Sequence, residues 1–379
     1  MKDLRSSFEI DFSLFEKNFK HLKKNYSDKE TIFMLKANAY GHGLLPLFRF
    51  TSKENLADSF GLASAFEALE IIFDESYVGE NLFVFSHLLL NDPRFVELYK
   101  NYPLIPVIGT LLELKTFLSV SDFSKVPLTI KFNTGMNRLG FDLLDVDEVV
   151  KLLKSHGRRN IDHVMSHFAN ASLKQGNSRN QKQMQNFKKL LSNLRAQGLS
   201  IDATSLSNSG SLEQGFEDDN SHIRPGLMLY GARSSLENQN KEDFPYQLIS
   251  SFQAKILKVF SISKGTPLGY GSEPIHADGL VVIVAHGYGD GFSTRNKGLE
   301  LFFENERGQI LKGKVSGRVN MDMTQIWFPP DTDLKQGEKL YFWKNKYAPF
   351  QNLCEKTKLI AYELFCQLSP RVKRVYYRS

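Results

Sequence analysis

Met34-Leu35-Lys36-Ala37-Asn38-Ala39-Tyr40-Gly41-His42-Gly43-Leu44 follows an apolar run at residues 31–35 that is typical of a β-strand. The run ends on a lysine, and small residues, a tyrosine and two glycines come next. Glycine lets the backbone approach a ligand closely, so the pattern predicts one amine, that of Lys36, at the end of a strand beside a binding loop. Such an amine can bond covalently to a carbonyl cofactor. A lysine that only carries its charge to solvent beside a core strand would give the same pattern.

Short strand-like runs recur through the first 235 residues, and helix-like amphipathic stretches separate most of them. The strand-like runs are residues 8–10, 31–35, 60–63, 82–85, 105–108, 128–132, 163–168, 204–207 and 227–230. The helix-like stretches include residues 14–25, 65–73, 111–120, 146–155 and 181–197. This alternation predicts an α/β fold with parallel strands and right-handed crossovers. A (β/α)8 barrel of the TIM type fits the pattern, and a doubly wound sheet fits it almost as well.

The sequence pattern changes after about residue 243, where helical patterns become scarce. Strand-like runs separated by turn residues follow at 251–259, 280–285, 300–303, 308–317, 324–327 and 339–343. They predict a C-terminal domain of mostly antiparallel β structure. We therefore expect a barrel domain at residues 1–240 and a β domain at residues 241–379, with the polar stretch at 234–244 as the linker.

The composition sets limits on the function. The chain has 379 residues, 41% of them hydrophobic, which suits two globular domains. Its net charge is +6, but the basic residues are spread along the chain, so we expect no nucleic-acid site. Two cysteines without metal-ligand spacing predict neither a disulfide framework nor a metal site. No apolar leader or long apolar run is present, so we expect a cytoplasmic protein without a membrane span.

The segment KANAYGHG resembles the lysine signature of the alanine racemases, which are fold-type III enzymes that use pyridoxal 5′-phosphate (PLP). The resemblance extends from Phe8 to Val372, and the motifs occur in the family's order. It implies a barrel with a C-terminal β domain and an isomerase that interconverts L- and D-alanine. It also implies that the product D-alanine supplies peptidoglycan, and that Lys36 carries the cofactor.

The resemblance implies a cofactor-binding set at the ends of the barrel strands. The set is Lys36, Tyr40, His167, Asn208, Ser209, Arg224, Gly226 and Leu227. Ser209, the backbone of Gly226 and Leu227, and the phenol of Tyr40 would hold the phosphate. Arg224 would face the pyridine nitrogen. Pro370 replaces a tyrosine that contacts the phosphate in some members.

The resemblance also implies two catalytic bases on opposite faces of the substrate. Lys36 is the first, and Tyr270 of the segment Pro267-Leu268-Gly269-Tyr270-Gly271-Ser272 is the second. A tyrosine needs help to act as a base near neutral pH, and His167 and Arg224 would supply it. Without the resemblance, Tyr270 would be interpreted as a tyrosine in a turn between two glycines, with its ring packed and its hydroxyl exposed to water.

Substrate binding is implied for three further segments. In KFNTGMNRLG (residues 131–140), Arg138 would bind the substrate carboxylate, and Lys131, often carbamylated in the family, would support it. Asn133 stands where many members have aspartate. The segment HGYGDG would place Tyr288 at the substrate entrance. In GRVNMD, Met321 would offer its backbone amide to the carboxylate, with Asp322 in support.

In the family, Tyr270, Tyr288 and Met321 reach the site from the partner subunit, so the resemblance implies a homodimer with shared active sites. Two alternatives stay open. One is a broader amino-acid racemase acting on lysine, arginine or serine, since the pocket beyond Cα cannot be read from the sequence. The other is a PLP carrier made of a single barrel, against which the second domain argues.

Overall fold

The computed structural model describes residues 4–172, 177–216, 219–234, 244–344 and 347–379. The chain divides into two compact units. One contains the described residues up to Asn18, Tyr230–Ala232, and the residues from Tyr246 onward; the other contains Phe19–Leu229 and the described part of Arg233–Pro245. The predicted boundary at 240/241 and most of the predicted linker at 234–244 lie outside the described residues, so that boundary stays a prediction.

The first strand, β1 (Ser6–Asp11), does not join the barrel that follows it in the sequence. Its residue Phe8 pairs with Phe252, in an antiparallel strand that begins at Ser250. Our placing of residues 8–10 among the barrel strands is therefore wrong. A short apolar run predicts a strand but carries no information about its partner.

Eight parallel strands form a closed barrel in the second unit. They are β2 (Glu30–Met34), β3 (Ser59–Leu62), β4 (Leu82–Val84), β5 (Leu104–Ile108), β6 (Thr129–Lys131), β7 (Asn160–Met165), β8 (Ser200–Asn208) and β9 (His222–Arg224). β9 pairs with β2 through His222 and Glu30 and closes the ring, which confirms the TIM-type barrel and excludes an open doubly wound sheet. β5 is buried along its whole length, as expected of a parallel strand covered on both faces.

Helical segments precede or connect the barrel strands. They are α1 (Phe12–Asn25), α2 (Lys36–Tyr40), α3 (Leu44–Lys53), α4 (Ala65–Ile72), α5 (Pro93–Asn101), α6 (Leu111–Ser119), α7 (Val146–Ser155), α8 (Ser178–Ala196) and α9 (Ser209–Glu213). Polar residues cap several of them: the side chains of Ser64 and Thr110 accept backbone N–H groups three residues further on, at 3.3 and 3.2 Å. These caps keep the connections from strand to helix short and fixed.

The prediction of a last barrel strand at residues 227–230 is also wrong. Leu227–Tyr230 is a single turn of 3-10 helix, closed by a bond from Leu229 N–H to the Gly226 carbonyl at 2.9 Å. The true eighth strand, β9, lies just before it. A buried apolar run of four residues does not distinguish a strand from a helical turn, which explains the error.

The first unit contains β1 together with β10 (Ser250–Ile262), β11 (Pro267–Leu268), β12 (Glu273–Pro274), β13 (Gly279–Val284), β14 (Glu300–Asn305), β15 (Ile310–Val315), β16 (Thr324–Phe328), β17 (Lys339–Trp343) and β18 (Lys373–Tyr377). β11 and β12 form a small separate hairpin, and the others form an eight-stranded sheet in the order β13-β16-β15-β14-β17-β10-β1-β18. Among the described residues, β1 and β18 form the only parallel pair of this sheet, so the predicted C-terminal β structure is confirmed. Two helices, α10 (Tyr347–Thr357) and α11 (Ala361–Cys366), precede β18.

No helix in the described ranges is long and apolar enough to span a membrane.

Candidate active site

The predicted cofactor residues of the barrel lie at the carboxyl ends of its strands. Lys36 follows β2 after one residue, Lys131 ends β6, and Arg224 ends β9. Asn208 ends β8, and His167 lies two residues beyond β7. Because all eight strands are parallel and form one ring, these ends meet at one mouth of the barrel, where barrel enzymes keep their chemistry.

The backbone after Lys36 is a left-handed turn. Ala37, Asn38 and Ala39 have φ of 55°, 54° and 52° and ψ of 52°, 48° and 52°. For residues other than glycine, this conformation costs about 1–2 kcal/mol each relative to the right-handed one. Such a turn persists only where surrounding contacts hold it.

Three side chains hold this turn. The Glu67 carboxylate accepts the N–H groups of Ala37 and Ala63, each at 2.7 Å. Asn38 Oδ1 accepts the N–H of the first residue of α3 at 2.7 Å. The imidazole of His42, fully buried, bonds through Nδ1 to the Tyr40 carbonyl at 2.9 Å. The backbone that carries the Lys36 amine is therefore fixed on both sides.

A small cradle forms where the turn after Lys36 meets the segment after β9. The hydroxyl of Ser209 accepts the N–H groups of Gly226 and Met228, at 2.9 and 3.4 Å. A Cβ built on Gly226 would lie 2.4 Å from the Tyr40 hydroxyl. Ser209, Gly226 and Tyr40 are thus brought together as expected, with Leu227 buried beside them.

The Arg224 guanidinium is buried and fixed by oxygen acceptors. It donates to the Ser205 hydroxyl, to the Ser166 carbonyl and, at 3.3 Å, to the Leu206 carbonyl. Its Nη2 lies 3.4 Å from Nδ1 of His167. Because the acceptors come from the ends of β7 and β8, the strand ends themselves orient this cation.

His167 is held as a neutral ring. Asn208 Nδ2 donates to His167 Nε2 at 3.1 Å, and the Asn208 amide cannot be reversed because its oxygen accepts the N–H of Ser211 at 3.2 Å. Nε2 therefore carries no proton. Burial, together with the positive charge of Arg224, holds the pKa of His167 well below its usual range.

Lys131 is buried among positive charges. Burial is the main cause of its lowered pKa, about 8, and the charges of Arg224, Arg138 and Lys36 act in the same direction. The same cations depress the pKa of His167. The mouth of the barrel is therefore built to receive negative charge.

The loop after β6 carries Arg138, which is exposed. Asn133 folds the loop: its Oδ1 accepts the N–H groups of Gly135 and Asn137 at 3.1 and 2.9 Å, and its Nδ2 donates to Asp142 at 2.8 Å. An aspartate in place of Asn133 could not make that last bond. The departure from the family pattern thus has a local structural role.

The remaining predicted residues lie in the first unit, which contains the eight-stranded sheet. Tyr270, at the turn of β11 and β12, is 70% exposed, and Tyr288 and Met321 are 46% and 53% exposed. The segments of Tyr288 and Met321 lie side by side, because Gly289 N–H donates to the Met321 carbonyl at 2.9 Å. Asp322 accepts from Arg371 at 2.7 Å.

Several polar residues of the barrel mouth were missed by sequence reasoning. They are Thr134, Ser166, Gln183, Ser205 and the amide of Met228. Only Gln183 leaves a sequence signal, as an amide on the buried stripe of a helix. In the described ranges, no group of three or more His, Cys, Asp or Glu residues could hold a metal ion.

These residues fit PLP, whose phosphate and ring oxygen are anionic. The cradle of Ser209, Gly226 and Tyr40 offers hydroxyl and backbone donors around a position where a side chain would not fit. The buried cation of Arg224 and the amine of Lys36 belong to the same mouth.

A closed barrel with a lysine at its cationic mouth, followed by an antiparallel β unit, defines a class of two-domain barrel enzymes. The family descriptions "Alanine racemase, N-terminal domain" and "Alanine racemase, C-terminal domain" match residues 10–234 and 249–376. The chain belongs to the alanine racemase family, whose members are isomerases, and the resemblance seen in the motifs is confirmed.

Known relatives agree over nearly the whole chain. The alanine racemase of Shewanella amazonensis is 30% identical over 373 residues, which are 96% of this chain and 97% of the relative. The structure of alanine racemase from Acinetobacter baumannii has 27% identity and a TM-score of 0.84, covering 99% of this chain and 100% of that one. That of Bartonella henselae, solved with covalently bound pyridoxal phosphate, has a TM-score of 0.84 with the same coverage; at 22% identity it shows the fold alone.

Proposed function

We propose that this protein interconverts L- and D-alanine with PLP attached to Lys36. The observation that carries the proposal is the fixed Lys36 backbone at a mouth that also holds a buried guanidinium and the Ser209–Gly226 cradle. When bound, PLP withdraws electrons from Cα of the amino acid and so acidifies its proton. The chain must then move that proton from one face of Cα to the other.

Two bases perform this transfer in the proposal. Lys36 takes or returns the proton on one face, and Tyr270 does so on the other. His167 is unsuited to hold it, because two donors face its ring and its pKa lies well below its usual range. Its role is to orient its neighbours.

The two-base assignment has a direct test. Tyr270→Phe should suppress exchange of the α-hydrogen with deuterated water for one enantiomer of alanine far more than for the other, as followed by NMR. Equal loss for both enantiomers would point to a single base.

The other residues bind and restrain. Ser209, Tyr40, Gly226 and Leu227 form the phosphate site, and Asn208 holds His167 in place. Arg224 would hold the pyridine nitrogen of bound PLP; because a guanidinium does not give up its proton readily, that nitrogen would stay unprotonated, which would restrain side reactions. Arg138, Tyr288 and Met321 receive the substrate, with Asp322 in support.

Lys131 orients Arg138 in this proposal. A pKa of about 8 leaves part of the amine neutral at neutral pH, and a neutral amine can add carbon dioxide to give a carbamate and a proton. The carbamate pairs with a guanidinium, which an ammonium group repels.

We also propose a homodimer in which Tyr270, Tyr288 and Met321 serve the partner's barrel. The exposure of all three side chains in the single chain supports this. We propose further that the enzyme acts in the cytoplasm and that its D-alanine supplies peptidoglycan. Growth of a D-alanine-requiring bacterium on expression of this chain would support that supply.

The experiment that tests the proposal has two steps. Borohydride reduction of the loaded protein, followed by peptide mapping, should place a pyridoxyl group on Lys36; a label on another lysine overturns the cofactor assignment. Chiral chromatography after incubation with L-alanine should show D-alanine. The same assay with lysine, arginine and serine tests whether the protein is a broader amino-acid racemase. If it racemises no amino acid at all, the result would favour a PLP carrier.

A further inference from the structure

The buried face of helix α8 is polar at its N-terminal end. Its fully buried positions follow helical spacing and are Asn180, Gln183, Phe187, Leu190 and Leu194. The last three are apolar, as expected of a helix face that packs on a barrel. The first two are amides, each only 1% exposed. Buried amides are costly unless they are hydrogen-bonded, so their partners are informative.

The partners of these amides are the loops of the barrel mouth. Gln183 Oε1 accepts the N–H of Ala169 at 2.9 Å, and its Nε2 donates to the His167 carbonyl at 2.9 Å. One turn earlier, Asn180 donates to the Asn170 carbonyl at 3.0 Å. From helix α8, outside the barrel mouth, the two amides thus hydrogen-bond the backbone of the segment that carries His167.

Gln183 also begins a directed chain of hydroxyl groups. Ser166 donates to the Phe132 carbonyl at 2.8 Å, so it must accept from Thr134, whose Oγ1 lies 2.7 Å away. The Thr134 hydroxyl uses its proton in that bond, so its oxygen can only accept, and it accepts from Gln183 Nε2 at 3.4 Å. The chain joins the loop after β7 to the loop after β6, which carries Arg138.

The same contacts reach the buried guanidinium. The carbonyl of Ser166 accepts from Arg224, and the amide of Asn186 on α8 donates to the Thr134 carbonyl at 3.0 Å. A shift of Gln183 would therefore be felt at both loops and at Arg224.

We infer that Gln183 is a positioning residue for cofactor binding: from outside the barrel mouth it sets the spacing between the His167 loop and the Arg138 loop. The inference rests on the proposed function for its ligand, PLP. Gln183 is buried, and it acts through His167, Thr134 and Ser166.

The test uses a variant whose hydrogen bonding can be switched by pH. Gln183→Glu should mimic the amide when protonated, because a carboxylic acid both donates and accepts. Burial raises the pKa of such a carboxyl. Once ionised, it can no longer donate to the His167 carbonyl and repels it. Relative to the exposed control Gln181→Glu, the variant should bind PLP with similar affinity at about pH 5 and roughly tenfold more weakly at about pH 8.5.

Binding is measured by titrating the apoprotein with PLP, and amide hydrogen exchange is followed in parallel without cofactor. Above the pKa of the new carboxyl, exchange in residues 132–138 and 166–170 should rise in Gln183→Glu and not in Gln181→Glu. If both variants show the same affinity ratio and the same exchange at the two pH values, the inference is overturned. If the wild-type apoprotein does not bind PLP, the proposed function fails, while the exchange data still decide whether Gln183 holds the loops.

Discussion

Gly226 shows how little free space the barrel mouth has. The hydroxyl of Tyr40 lies only 2.4 Å from the position that a Cβ on Gly226 would occupy. Gly226→Ala should push the Tyr40 phenol out of the cradle and weaken PLP binding roughly tenfold or more, because overpacking a fixed site displaces its parts. Titration of the apoprotein with PLP, read by absorbance, measures the effect.

A double variant separates this collision from a general loss of packing. In a Tyr40→Phe background the colliding oxygen is gone, so adding Gly226→Ala should cost much less than it does in the wild type. If Gly226→Ala lowers PLP affinity by the same factor in both backgrounds, the Tyr40 hydroxyl is not the group that excludes a side chain at position 226.

Lys131 makes a pH-dependent contribution to stability. Its folded pKa of about 8 lies below the ordinary 10.5, so between these values the unfolded chain binds more protons and stability rises with pH. Below about 8 the folded chain carries the full penalty of the buried charge. Lys131→Met should thus be more stable than the wild type at neutral pH by roughly 2–3 kcal/mol.

The advantage of Lys131→Met should shrink as the pH approaches about 10. Urea unfolding of the two apoproteins in carbon-dioxide-free buffer measures it. Lys125→Met changes an exposed lysine shortly before β6, the strand that ends at Lys131, and serves as the control. Its stability relative to the wild type should not change with pH. If the difference in unfolding free energy between Lys131→Met and the wild type is constant across the pH range, the charge of Lys131 does not destabilise the folded protein.

At the scale of residues, the sequence indicates the groups that lie in short, unusual motifs. Lys36 ends an apolar run, and Arg224 precedes Pro-Gly. Ser205 and Gln183 lie in no such motif: a serine in a strand carries no signal, and Gln183 is marked only by its place on the buried stripe of a helix. Their importance comes from the acceptors and donors that the fold brings to them.

At the scale of structural elements, the left-handed turn after Lys36 depends on side chains outside it. Glu67 of α4 accepts the N–H of Ala37 on one side and of Ala63 on the other. Glu67→Ala removes both acceptors while leaving the buried apolar face of the helix unchanged. The turn should loosen, and PLP affinity should fall roughly tenfold, since two charge-assisted hydrogen bonds are lost.

Two further variants of the same helix make the comparison sharp. Glu67→Gln keeps one acceptor oxygen and should lie between the wild type and Glu67→Ala. Glu70→Ala removes an exposed carboxylate one turn further on and should leave PLP binding unchanged. Equal effects at positions 67 and 70 would show that only the charge of α4 matters, and not the turn.

The sequence predicted many elements well, and its failures have physical reasons. Residues 146–155 form the predicted helix, and residues 339–343 form the predicted strand. The eighth barrel strand was placed too late, because a buried apolar 3-10 turn looks like a strand. The handedness of the turn at Ala37–Ala39 could not be foreseen, since alanine and asparagine carry no strong signal for it and Glu67 is distant in sequence.

For the whole molecule, the proposed dimer with shared sites makes a quantitative prediction. Lys36→Ala and Tyr270→Ala chains should each be inactive alone. A mixed dimer would hold one site with both defects and one with neither. After subunit exchange of equal amounts, about a quarter of wild-type activity should appear, because half of the dimers are mixed and each has one working site.

Racemase assays before and after exchange measure this recovery, and native mass spectrometry of differently tagged chains checks that mixed dimers form. A mixture of either variant with itself is the control. Mixed dimers that form and stay inactive would mean that each chain completes its own site.

The sequence predicted the two kinds of structure, a parallel barrel and a mostly antiparallel sheet, and both are present. The boundary near residue 241 stays a prediction, and one strand of the sheet was not foreseen as part of it. Nothing near Phe8 signals that it pairs with Phe252, because strand partners distant in sequence leave no local trace.

That pairing has a consequence for how the protein is made. β1 lies in the sheet between β10 and β18, so it leaves the ribosome long before either neighbour exists. At about 5–20 residues per second, the nascent chain needs on the order of tens of seconds to reach Ser250. Throughout that time Phe8 and Ile10, fully buried in the finished sheet, have no partner strand to cover them. We therefore expect chaperones to bind β1 during translation, until its neighbours in the sheet have been made.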